Sequence, residues 1–98
     1  MRILIVEDDP KLARQLQRGL AEQGYTARLA FEGHEGLRTA RSEPFDVFVL
    51  DVMLPGVDGF SLVRRLRASG SVTPILLLTA RDTPKTSSWG LRPEPTTI

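Results

Sequence analysis

The chain has 98 residues, a formal net charge of +1 at pH 7, 41% apolar residues and no cysteine. That length suits one domain and is marginal for a five-strand α/β unit of ordinary globular makeup; disulfide and thiolate chemistry are excluded, and the charge gives no argument for nucleic acid or an acidic partner. No apolar stretch is long enough to span a membrane and Glu7-Asp8-Asp9 interrupts any signal peptide, so a soluble cytoplasmic protein is the expectation.

Residues Arg2 to Val6 predict a first strand, ILIV bounded abruptly by acid. Asp9-Pro10 has the form of an N-cap followed by proline at the first helical position. Leu12, Leu16 and Leu20, with Ala13, then make an apolar stripe at helical spacing, closed by Gly24. Tyr25 to Ala30 predicts a short second strand, and Gly33 to Arg41 a weaker helix with Leu37 and Ala40 turned inward. Val47-Phe48-Val49-Leu50 is an unbroken apolar run, too short for a helix and suited to a parallel strand covered on both faces. Asp51 ends that run, and Leu54-Pro55-Gly56 forces a turn. Gly59 to Ser69 predicts a third helix carried by Leu62, Val63 and Leu66, with Gly70 just beyond it. Pro74 to Thr79 is a fourth apolar strand. Strand and helix alternate throughout, which predicts βαβ crossovers and a flavodoxin-like, doubly wound parallel sheet of about four strands and three helices.

Three strand ends carry polar groups: Glu7-Asp8-Asp9 after the first, Asp51 on the third and Thr79 on the fourth. In a doubly wound sheet the first and third strands are neighbours at the switch point, so their carboxylates converge. Crowded carboxylates repel one another unless a cation lies between them. Oxygen donors without His or Cys suit a hard ion, and Mg²⁺ uses few protein carboxylates. An Asp beside such an ion can act as a nucleophile toward phosphorus, giving an aspartyl phosphate, and the Thr79 hydroxyl could hydrogen-bond the transferred group. Blander roles fit other positions. Asp9 reads as a helix cap rather than a ligand, Asp58 as a cap or turn residue, and His34, the lone histidine, as a surface residue.

With these residues placed, the chain resembles the receiver domain of two-component response regulators. The matching motifs are ILIVEDD at 3–9, VLDVMLPGVDGF at 49–60 and PILLLTARD at 74–82. Their wording is most similar to transcriptional regulators whose receiver precedes a winged-helix DNA-binding domain. The resemblance implies that Asp51 is the phosphoacceptor, that Glu7 and Asp8 form an acid pocket with Asp8 a direct Mg²⁺ ligand, and that Met53 lends its backbone carbonyl. It also implies that Thr79 is the switch hydroxyl and that a sensor histidine kinase is the phosphodonor. The role is stoichiometric, not that of an enzyme, and DNA would be reached only through a winged-helix domain absent from this sequence. A haloacid-dehalogenase-type phosphatase is the enzyme rival, but it resembles DxD, whereas Met53 stands two positions after Asp51. An inert fragment is the other rival.

The pattern stops after Asp82, which divides the chain into a partial receiver, 1–82, and an irregular tail, 83–98. The family's fourth helix, its fifth strand ending in Lys-Pro, its last helix and its dimer face have no counterpart in that tail, and Lys85 is too close to Thr79 to be the phosphate-contacting lysine. The fourth strand is then expected to be a bare apolar edge, and the domain to be poorly stable and impaired in switching. Back-translation suggests why. Reading Lys85 to Ile98 one nucleotide earlier permits EDVVVGAEAGADDY, with the glycine compelled by Trp89-Gly90. That string resembles the receiver family's continuation, which points to a one-nucleotide deletion near the codons for Pro84 and Lys85.

Overall fold

The computed structural model describes residues 1–52, 54, 59–78 and the backbone of 96–97. Apolar runs and helical stripes alternate in it as the sequence predicts: β1 (Arg2–Val6), α1 (Pro10–Glu22), β2 (Thr26–Ala30), α2 (Gly33–Ser42), β3 (Val47–Asp51), α3 (Gly59–Ala68) and β4 (Ile75–Leu78). A two-residue strand, β5 (Thr96–Thr97), follows. All pairings are parallel, in the order β2-β1-β3-β4-β5, so β1 and β3 lie side by side in the middle of the sheet.

Period-two alternation along the strands divides the apolar residues between two faces. Leu4, Val6, Phe48, Leu50, Ile75 and Leu77 pack with Leu37 of α2 and Leu62, Val63 and Leu66 of α3. Ile3, Ile5 and Val49 face the other way, against Leu16 and Leu20 of α1. On that second face Leu76 and Leu78 are only partly buried. The helices end where their sequences stop them. Asp9 caps α1 by accepting from the Lys11 and Leu12 amides at 3.0 and 3.4 Å. Gly70, at φ 93°, takes the left-handed turn after α3 that a side chain would resist.

Two expectations need correcting. Leu12 does not join the inward stripe: it is 38% exposed, and α1 meets the sheet through Ala13, Leu16 and Leu20. Spacings of four residues drift by about 40° per step on a helix of 3.6 residues per turn, so Leu12 and Leu20 diverge by about 80°. Ala13, at spacings of three and four, stays over the strands. The second correction concerns the edge of β4, which is not bare over its whole length. Leu76 and Leu77 pair with Thr96 and Thr97, because an open parallel edge presents amides and carbonyls that any extended backbone can satisfy.

Candidate functional site

The parallel register of β1 and β3 builds the site. Val6 lies opposite Leu50, so the next residue on each strand, Glu7 and Asp51, emerges at the same edge of the sheet. Both side chains are buried, Glu7 at 4% and Asp51 at 5% exposure, while Asp8 beside them faces solvent. One carboxylate oxygen from each of Glu7, Asp8 and Asp51 falls within 4.8 Å of the others. Glu7 is tethered on both sides: its amide donates to the Ala30 carbonyl at 3.0 Å, and its Oε1 accepts from the Asp9 amide at 3.1 Å.

The electrostatics follow from that crowding. Burial pushes the Glu7 carboxyl up from 4.5 to about 7, partly opposed by the Asp9 amide. Hydrogen bonds to the Asp8 and Asp51 side chains and the charge of Asp51 are the smaller contributions to that same rise. Among the described residues the donors of the cluster are carboxylate oxygens, two buried and one open to water, which fits a hard divalent ion such as Mg²⁺ that keeps part of its water shell.

Val52, directly after Asp51, is held from two directions. The Val52 amide donates to Leu78 of β4 at 3.0 Å, and the Val52 carbonyl accepts from the Gly59 amide at 2.9 Å. The start of α3 thus sits directly on the end of β3. Of the residues picked out in the sequence, Glu7, Asp8 and Asp51 come together, Asp9 is the helix cap, and His34 is exposed on α2. Met53, Thr79, Asp58 and Lys85 lie outside the described residues, as does most of the turn after Asp51. The contact of Gly59 with the Asp51–Val52 peptide was not foreseen. The signal was available: a glycine opening a helix where almost any residue would do.

Comparison with known proteins places this geometry. The chain matches the response regulator receiver domain family over residues 3–93. It is 48% identical over 90 residues to the transcriptional regulatory protein PcoR of Escherichia coli, covering 92% of this chain and 40% of that protein. The transcriptional activator protein IrlR of Burkholderia pseudomallei is 52% identical over 82 residues, 84% of this chain and 35% of that one. The chain therefore spans well under half the length of these curated relatives. Among solved structures, the receiver domain of the Francisella response regulator 1452 superposes with a TM-score of 0.79 at 35% identity, covering 85% of this chain and 69% of that one. The response regulator TrrA of Thermotoga maritima, in complex with Mg²⁺-BeF, gives a TM-score of 0.79 at 34% identity over 83% of this chain and 70% of that one.

Proposed function

The chain belongs to the response regulator receiver domain family, and from that premise we propose that Asp51 accepts a phosphoryl group from a sensor histidine kinase in the cytoplasm. The observation that carries the reading is the convergence of Glu7, Asp8 and Asp51 at the carboxyl ends of β1 and β3. Attack by an Asp51 carboxylate oxygen on phosphorus forms the O–P bond as the N–P bond of the donor phosphohistidine breaks, and the departing imidazole nitrogen keeps the electron pair and takes a proton. Glu7, Asp8, Asp51 and the Met53 carbonyl are the proposed holders of Mg²⁺, which when bound screens the phosphoryl oxygens. Burial of Asp51 limits water, while exposed Asp8 leaves the entry side open. Thr79 is proposed to contact the transferred group afterwards.

In the intact regulator the readout is proposed to be transcriptional, the role that the names of PcoR and IrlR give those proteins, and to run through a winged-helix domain. Acetyl phosphate or a kinase with Mg²⁺ should give one stoichiometric, acid-labile label, and Asp51→Asn should abolish it while the far-UV circular dichroism stays unchanged. A label persisting in that variant would move the acceptor elsewhere, and turnover of an external phosphate ester would favour a phosphatase. Residues 83–98 are proposed to be an out-of-frame tail that impairs switching. Resequencing the locus downstream of the Asp82 codon is expected to show a receiver-like continuation in the original frame, of which EDVVVGAEAGADDY is one permitted reading; an original frame without such a continuation removes the idea.

A further inference from the structure

We propose that Gly59 is a positioning residue for the acidic site, its missing side chain setting how closely α3 can press on the peptide that carries Asp51. A Cβ built on Gly59 would lie 2.5 Å from the Asp51 carbonyl oxygen and 2.8 Å from the Val52 Cα, where ordinary contact begins near 3.4 Å. Both obstructing atoms belong to the backbone, so no rotamer change relieves the overlap. The contrast within the same helical layer is Gly36, whose Cβ would meet the Val6 side chain instead.

Gly59 needs no special φ, since Gly24 and Gly70 are the described glycines with positive values. Alanine would favour the helix by about 0.5–1 kcal/mol on propensity alone, so the glycine is explained by the close approach and not by backbone conformation. The Gly59 amide bonds the Val52 carbonyl at 2.9 Å, and the Val52 amide bonds Leu78 at 3.0 Å. The backbone of Val52, the residue next to Asp51, is therefore clamped between α3 and β4. A methyl on one side of that clamp would push Asp51 relative to Glu7 and Asp8, which follow β1 on a separate segment. The three carboxylate oxygens now lie within 4.8 Å of one another, and Glu7, Asp8 and Asp51 would hold Mg²⁺ less well if one of them were displaced. The inference rests on the acidic cluster holding Mg²⁺ and, for its phosphoryl consequence, on Asp51 being the acceptor.

The test compares Gly59→Ala with Leu66→Ala in the 98-residue chain. Leu66 is buried two turns along α3, so its truncation loosens the same helix without touching the clamp. Titration calorimetry with Mg²⁺ alone, in sucrose to favour the folded state, should show Gly59→Ala weakened on the order of tenfold. Leu66→Ala should stay within about twofold of the parent. Where either variant is only partly folded, the rise of its unfolding temperature with added Mg²⁺ gives the same comparison through linkage. Parental affinity in Gly59→Ala, or equal weakening in both variants, overturns the positioning role. Acetyl phosphate labelling of the parent is read separately: its absence removes the acceptor reading, while the Mg²⁺ comparison still decides the role of Gly59.

Discussion

Glu7→Gln isolates the electrostatic cost of the site. The variant stays neutral at every pH and its amide oxygen can still accept from the Asp9 amide, as Glu7 Oε1 does at 3.1 Å. In the parent, the unfolded carboxyl releases its proton near 4.5 and the folded one near 7, because of burial, then the hydrogen bond to Asp8 and the charge and hydrogen bond of Asp51. Between those values the folded chain holds more protons than the unfolded chain, so stability falls as pH rises. The contribution is fully present below 4.5 and lost on passing through about 7. At about 1.4 kcal/mol per pH unit the interval sets an upper limit of about 3 kcal/mol, and screening on the solvent side, where Asp8 is exposed, reduces it to roughly 1–2 kcal/mol. Urea unfolding followed by far-UV circular dichroism, in EDTA from pH 4.5 to 8, should show the parent losing that amount relative to Glu7→Gln. The two should coincide at the acid end. Mg²⁺ should then restore the parent at pH 8 more than the variant, which has lost a charged ligand. Parallel stability curves for the two proteins would refute the reasoning.

Asp8→Asn should weaken Mg²⁺ binding strongly while leaving the urea midpoint without metal unchanged or raised, since Asp8 is exposed and its charge faces two buried carboxylates; unaltered affinity by calorimetry would contradict its ligand role. Asp9→Ala should lower stability by about 1 kcal/mol through loss of the α1 cap, with Mg²⁺ affinity nearly intact. A large loss of affinity in that variant would place Asp9 among the metal ligands.

Much of the fold is legible along the chain because its signals are local. Ile3 to Val6 and Val47 to Leu50 are continuous apolar runs that only a sheet covered on both faces can hide, and Asp9-Pro10 and Gly70 mark helix ends by backbone chemistry alone. The meeting of Glu7 with Asp51 is legible too, because parallel strands that alternate with helices bring their carboxyl ends to one edge. Leu12 shows the boundary of such reasoning. A stripe counted at spacing four hides an angular drift that matters only when a flat sheet chooses which side of the helix it meets.

The sequence by itself determined that the first and third strands are neighbours in a doubly wound sheet, the identity of the carboxylates at its edge and the glycines that follow the first and third helices. Tertiary structure alone decided that Glu7 is buried enough to hold a proton near neutral pH, that Gly59 must lack a side chain because another segment's backbone occupies the space, and that Thr96 and Thr97 lie along β4. The division has one physical cause. Periodicity and caps are written in neighbouring residues, whereas desolvation, close approach and edge pairing depend on distances between segments far apart in the chain.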